Sequence, residues 1–297
     1  MNKETTSLLL AYKDQLNDIA VAEDVFNKLS TWSFNNRSEV AKVVKDLNES
    51  LCLRESAVFR DHILTTAVGD LSGLLFVSAN PGWSASKNAK EDRFRSSDVN
   101  NNYKFCVDFF RTFRTEVGAN AWWSRALSLS HMVITRNISP VSPKTRWDWA
   151  QNGVAVGNID LIPFHSTADK FGLLSSSSPA SKVMRSIATS TLEMALRIKP
   201  TPRLIFVGSA LGAPIADKLC EELGMHFWSA PSTGVRQFDR LRRYVHPETG
   251  SKVMTFPYQP FAGFASKNLP PGFMSPLATL ILEFANPSQD SDAAHYP

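Results

Sequence analysis

Apolar residues in the first part of the chain recur at helical spacing. Between residues 4 and 64 they fall at Leu8, Leu9, Tyr12 and Leu16, then at Val40, Val43, Val44, Leu47 and Leu51. This spacing predicts two or more amphipathic helices. Trp32-Ser33-Phe34-Asn35-Asn36 interrupts it and is read as the break between them. The pattern then changes: residues 73–79, Gly-Leu-Leu-Phe-Val-Ser-Ala, form the short continuous apolar run expected of a strand buried on both faces. Residues 154–162 and 203–208 repeat that signature.

Helical spacing returns between these runs. It passes through Phe105, Phe109, Phe110 and Phe113 in residues 103–117, and through Val183, Ile187, Leu192 and Leu196 in residues 181–198. Pro214 opens another helix, at the early-turn position where a missing N–H does no harm. Residues 240–246 and 252–256 flank Pro247-Glu248-Thr249-Gly250 and read as a β-hairpin, and residues 277–284 as a closing helix. Residues 87–102 and 175–178 are polar loops, and residues 286–297 a disordered tail.

The alternation of strand and helix predicts an α/β fold with a central, mostly parallel sheet. With no internal repeat and no clear linker, residues 1–285 read as a single domain. Within it, residues 1–70 are an N-terminal helical elaboration and residues 71–285 the α/β core. Composition narrows this only slightly. With 297 residues, 43% of them hydrophobic, there is enough apolar material for a large core, and a net charge of +4 permits a polyanionic partner without requiring one. No stretch approaches the ~18 apolar residues of a membrane span, so a cytoplasmic protein is expected.

Cys52, Cys106 and Cys220 form no CxxC pair, and His131, His165, His226 and His246 show no ligand spacing. Neither a disulfide framework nor a metal site is therefore expected. Val207-Gly208-Ser209-Ala210-Leu211-Gly212 follows a strand but lacks both GxGxxG and a P-loop lysine, so it is read as a tight turn.

In an open parallel sheet, ligands bind outside the carboxyl ends of the strands. Three such ends stand out: Asn80-Pro81-Gly82-Trp83-Ser84, residues 158–166, and Phe256-Pro257-Tyr258-Gln259-Pro260. At the first, Pro81 fixes one backbone dihedral and Gly82 allows a sharp turn or a close approach, which holds Asn80 in place.

Ser78-Ala79-Asn80-Pro81-Gly82 resembles the first motif of the uracil-DNA glycosylase superfamily, and Val156-Gly157-Asn158-Ile159-Asp160-Leu161-Ile162-Pro163 is similar to the strand that carries its base-reading asparagine. The third element of that superfamily, His-Pro-Ser, has no counterpart: residues 256–263 lack both the His and the Ser. The resemblance spans residues 74–264 with identity confined to a few positions. It implies a three-layer αβα fold, DNA as partner, no cofactor, and hydrolysis of an N-glycosidic bond to a flipped base.

Under that resemblance Asn80 orients the attacking water, with Asp160 or His165 as alternative bases. Preorganised electrostatics stabilise the departing anionic base. Pro81, Gly82, Trp83, Asn158 and Phe164 would line the base pocket. Gly82 stands where the uracil-specific branch carries a tyrosine that excludes groups at pyrimidine C5. Larger bases are therefore expected, such as hydroxymethylcytosine or its glucosylated form in phage DNA, with uracil or mismatch repair as the alternative. No suitably placed lysine nucleophile stands in these motifs, so lyase activity is not expected.

For DNA contact the candidates are Tyr258, Gln259, Phe261, Phe264 and Lys267, with an aromatic wedge among them. Two basic groups join them: Arg236, Arg240, Arg242, Arg243 and Lys252 around the hairpin, and Lys87, Lys90, Arg93 and Arg95 after Trp83. Trp122, Trp123, Trp147 and Trp149 would either stack on bases or pack in the core. A glycosylase-like scaffold that binds DNA or protein without chemistry is the rival reading. A nucleoside hydrolase is a third, but no Asp-rich calcium cluster supports it.

Overall fold

In the computed structural model the N-terminal periodicity resolves into helices α1 (Lys3–Asn17), α2 (Ala22–Asn35) and α3 (Arg37–Ser50). The structure describes residues 1–19, 21–52, 59–63, 67–71, 73–79, 121–151, 156–166, 171–199, 204–208, 213–230, 233–236, 238–256 and 272–285. Helix α1 starts where Asn2, in extended backbone, accepts the Thr5 amide proton at 2.7 Å. The expected break at residues 32–36 is narrower than its composition suggests. Trp32 to Asn35 complete α2 and only Asn36 steps out of it, its side-chain amide donating to the Trp32 carbonyl at 2.8 Å. Trp32 is core instead, its ring edge-on to Tyr12 at 4.9 Å.

Beyond α3 the helical reading ends. Strands β1 (Phe59–Ile63) and β2 (Ala67–Gly69) follow, so residues 1–70 are not helical throughout. The remaining strands are β3 (Leu74–Ser78), β4 (Val156–Asp160), β5 (Phe164–Ser166), β6 (Leu204–Gly208), β7 (His226–Ser229), β8 (Arg242–Val245) and β9 (Lys252–Phe256). Among the described residues the remaining α-helices are α4 (Ala121–Thr135), α5 (Pro143–Gln151), α6 (Pro179–Arg197), α7 (Ala213–Glu222) and α8 (Met274–Ala285). Among the described residues no helix is long and apolar enough to cross a membrane.

The main sheet runs β2-β4-β3-β6-β9-β8-β7, and a separate ladder joins β1 to β5. Its central strands β4, β3, β6 and β9 are parallel, β2 and β8 flank them antiparallel, and the edge strand β7 pairs antiparallel with β8. The chain is thus a mixed α/β protein whose parallel strands occupy the middle of the sheet. The hairpin is formed by β8 and β9, and β9 is also the last parallel strand.

Period-two alternation explains why these strands read as unbroken apolar runs. Leu75 and Val77, with Ile159, Ile205 and Val253, face a core shared with α1, α2, α3, α6 and α7. Leu74 and Phe76, with Val156, Met254 and Phe256, face a second core built with α4, α5 and α8. Fully burying one such Leu, Val or Phe contributes about 1.5–3 kcal/mol.

Helix α6 is started by Ser178, which accepts the Ser181 amide proton at 3.1 Å, with Pro179 in its first position. Helix α1 packs along α6, and the buried residues of α1 to α3 belong to the same core as that face of the sheet. The N-terminal helices are therefore part of the layer on one sheet face. Asn48 ties α3 to β1: it accepts the Phe59 amide proton at 2.8 Å and donates to the Phe59 carbonyl at 3.1 Å. Strand β1 in turn holds β5 through Phe59 opposite Ser166 and Ile63 opposite Phe164.

Candidate active site at the ends of β3 and β4

Strands β3 and β4 lie side by side in parallel, with Phe76 opposite Asn158 and Ser78 opposite Asp160. Alternation places Ser78, Asn158 and Asp160 on the face that further back carries Leu74, Phe76 and Val156. An apolar strip thus turns polar as it reaches the carboxyl end of the sheet. Ser78 Oγ donates to Asn158 Oδ1 at 2.8 Å, and Asn158 Nδ2 donates to Asp160 Oδ1 at 3.3 Å. Asn158 and Asp160 are only 7% and 8% exposed, so these bonds form where an unmet polar group is costly.

Past the strands the two chains stay together. The Leu161 amide donates to the Ser78 carbonyl at 3.0 Å and the Ile162 amide to the Ala79 carbonyl at 2.8 Å. The backbone of residues 78–79 is therefore clamped to residues 161–162, next to Asp160. Asn80, Pro81, Gly82, Trp83, Tyr258, Gln259, Phe261, Phe264 and Lys267 lie outside the described residues, as do Lys87, Lys90, Arg93, Arg95 and the helix expected over residues 103–117.

Gly157 is required between Val156 and Asn158 for packing. A Cβ there would lie 2.7 Å from Leu71 Cδ2 and 2.8 Å from the Asp70 carbonyl oxygen, because the turn after β2 crosses directly against β4.

His165 is buried on β5 beside Ser166, each 1% exposed. Phe164 corrects the sequence expectation. It is fully buried in the core beneath the N-terminal helices, its ring 5.5 Å from that of Phe59, so it holds β5 to β1 and has no face free for a base. Its position after a strand end suggested a pocket wall, but β5 begins there and turns it inward.

The basic residues also divide. Arg236 and Arg240 are exposed, and Arg242 opens β8 opposite Thr255, donating to the Asp239 and Leu241 carbonyls at 3.2 Å each. Arg243 does not belong with them. Only 9% exposed, it donates to the Leu280 carbonyl at 3.1 Å, pairs with Glu283 at 3.7 Å and lies 5.6 Å from the centre of the Phe284 ring. Burial pushes its guanidinium pKa below the ordinary value, opposed by Glu283. Lys252 caps the carboxyl end of α8, donating to the Phe284 and Ala285 carbonyls at 2.9 and 3.1 Å. Both cations brace α8 and are removed from the DNA-contact set.

The tryptophans of α4 and α5 pack against the second core. Trp123 is buried, Trp122 meets Phe76 edge-on at 5.5 Å, and Trp149 Nε1 donates to Ser130 Oγ at 3.3 Å. His246 Nδ1 accepts from the Thr249 amide and lies 3.1 Å from its hydroxyl inside the hairpin turn. Among the described residues no group of three His, Cys, Asp or Glu side chains could hold a metal ion.

Ser78, the first residue of the Ser-Ala-Asn-Pro-Gly motif, acquires a role only through strand pairing. The available signal was a polar residue closing an apolar run in the same alternation phase as Leu74 and Phe76. In chemical terms the site holds a buried amide with two of its four hydrogen-bonding positions used. Among the described residues, one lone pair on Oδ1 and one hydrogen on Nδ2 remain for a flat, polar ligand edge. No family model, no curated protein and no solved structure matches the chain.

Proposed function

We propose that this chain is a monofunctional DNA glycosylase with a three-layer αβα, uracil-DNA glycosylase-like core, removing pyrimidines enlarged at C5. The observation that carries this reading is the Ser78–Asn158–Asp160 relay at the carboxyl ends of adjacent parallel strands, directly before Asn80-Pro81-Gly82. A buried amide with one donor and one acceptor to spare suits the Watson–Crick edge of an extruded base, whose removal from the stack costs a few kcal/mol.

In this reading Asn158 reads the base and Asn80 orients a water toward the sugar C1′. The water oxygen bonds to C1′ as the glycosidic bond breaks, and the base departs with the electron pair. The water proton passes to Asp160 or His165, or to solvent. Trp83 and Gly82 shape the pocket, Gly82 leaving room beside C5. Arg242, Arg236 and Arg240 supply phosphate contacts together with residues 258–267. The cellular setting that fits is cytoplasmic defence against phage DNA carrying hydroxymethylcytosine or its glucosylated form.

The test incubates the protein with duplex oligonucleotides, each bearing one candidate base, and with phage DNA containing modified cytosines, then scores alkali-labile abasic sites. Cleavage that is lost in Asn80→Ala and Asn158→Ala supports the reading. Cleavage unchanged by Asn80→Ala refutes the catalytic assignment, and tight, salt-dependent binding without cleavage favours an inert DNA-binding scaffold.

A further inference from the structure

The main sheet ends at β7, which pairs with β8 along one edge and, among the described residues, with no strand along the other. An open edge is a template for another strand, and proteins commonly blunt it with lysine, proline or a bulge. Strand β7 is His226-Phe227-Trp228-Ser229, without lysine or proline, and its two aromatics stand 56% and 38% exposed. Each is the tip of a core. The Phe227 ring lies 5.7 Å from that of Tyr244 in the larger core, and the Trp228 ring 6.4 Å from that of Phe284 in the second. Both cores therefore run out into water at one edge, leaving apolar area that a further strand would cover. The register shift between Phe227 and Ser229, a bulge in the β7–β8 ladder, limits the length of any such pairing without covering the rings.

Charge is divided along this edge. Strand β7 runs parallel to β9, because both pair antiparallel with β8, so it starts at the amino end of the sheet. There α7 finishes with the exposed Glu221 and Glu222, and the hairpin turn after β8 presents the exposed Glu248. At the other end stand the exposed Arg236 and Arg240, with Arg242 opening β8 and Asp239 held by the Thr233 amide and hydroxyl. Two copies laid edge to edge in the same direction would set carboxylates against carboxylates. Laid antiparallel about a two-fold axis, each acidic end meets the arginine end of the other copy, and each aromatic tip meets its own counterpart on the same face of the sheet. We infer that the free edge of β7 pairs antiparallel with β7 of a second copy, joining two seven-stranded sheets into one. The inference goes beyond the glycosylase reading and does not rest on it. Arg236, Arg240 and Arg242 are common to both, so DNA and the second copy compete for them and the dimer belongs to the DNA-free protein.

Sedimentation velocity of the full chain without DNA, from about 5 to 500 μM, reads the association, since so short a contact falls in the small, transient class of interfaces. The weight-average mass should climb from monomer toward dimer across that range. Phe227→Lys and Trp228→Glu each set like charges against one another across the two-fold axis in place of an aromatic contact, and each should weaken the dimer by roughly tenfold or more. Circular dichroism checks that these variants keep the fold. Glu221→Arg with Glu248→Arg should weaken association by roughly threefold, as should Arg236→Glu with Arg240→Glu, because exposed pairs contribute little each. All four changes in one chain exchange the two ends of the edge, so the ends that meet are again opposite in sign and association should return.

A mass that stays monomeric over the whole range overturns the inference. So does a dimer that Phe227→Lys and Trp228→Glu leave as tight as wild type, since its contact lies elsewhere on the chain. A fourfold charge variant no tighter than its two parents overturns the antiparallel order. Should the β7 variants not fold, the charge variants decide, because their four positions are exposed and lie outside the β-ladders. Base excision, present or absent, bears on none of these outcomes.

Discussion

Replacing Gly157 with alanine tests how tightly the turn after β2 is pressed onto the strand that carries Asn158. Glycine inside a strand is ordinarily a liability, and alanine in its place gains about 0.5–1 kcal/mol from reduced chain entropy. Here the added methyl would sit 2.7 Å from Leu71 Cδ2 and 2.8 Å from the Asp70 carbonyl oxygen. The leucine end can rotate aside, but the Asp70 peptide cannot easily follow. Its amide donates to the Val156 carbonyl at 3.0 Å, and Gly69 beside it is in register with Gly157 itself. Overpacking of this kind costs about 1–3 kcal/mol. Net destabilisation of roughly 1–2 kcal/mol should remain after the entropy gain, or a few degrees in Tm.

Urea titration and thermal melting of Gly157→Ala against wild type give the sign directly. Gly172→Ala is the control, since nothing lies within 4 Å of the position a methyl would take there. It should be neutral or slightly stabilising. A Gly157→Ala protein as stable as wild type, or more stable, would refute the close crossing of residues 70–71 over β4.

Three further outcomes follow from the same geometry. Asn48→Ala removes both hydrogen bonds to the Phe59 peptide and should destabilise the fold by about 1–3 kcal/mol in urea titration, whereas an effect within experimental error would show that β1 does not depend on α3. Lys252→Met should lower stability by about 0.3–1 kcal/mol in urea titration through the lost α8 cap, and an unchanged midpoint would show that the cap contributes nothing. Burial raises the Tyr244 phenol pKa, helped by the charge of Asp217 and a hydrogen bond to it. The stability from this neutral phenol is full below the ordinary tyrosine range near ~10 and is lost as pH rises through the elevated folded value. In ultraviolet alkaline titration Tyr244 should therefore ionise late, and Tyr244→Phe should remove one tyrosine's share of the late-titrating absorbance.

The central strands were legible because residues buried on both faces leave continuous apolar runs, as at β3. Helix α6 was legible from its apolar spacing, although its Ser-Pro start at residues 178–179 was not. Strands β2 and β7 were not: β2 has three residues, and β7 is an edge strand of mixed aromatic and polar residues with Phe227 and Trp228 exposed. Helix α4 hid for the opposite reason. It is apolar over most of its circumference, and only its tryptophans drew notice. Arg243 and Lys252 looked like a basic patch because spacing in sequence reveals charge but not the carbonyls and rings that a cation will meet across the fold. The asparagine at 158 was legible from its place near a strand end, but its partner Ser78, 80 positions away, depended on strand pairing that no local pattern contains.

Strand β4 divides its work by alternation. Its odd positions hold the fold, Gly157 yielding space to the crossing turn and Ile159 entering the larger core, while Asn158 and Asp160 face the other way. Both edges of the strand are paired, to β2 and to β3, so substitutions at the even positions change side-chain chemistry without changing the ladder. Hydrogen-bonded polar groups in such a place add little net stability over apolar side chains of the same shape. Stability alone gives little reason for three linked polar side chains at the end of an apolar strip. What they fix is the direction of one buried amide at the carboxyl end of β4. Both edges of β4 already hold its backbone, so that direction is the freedom left for recognition to set.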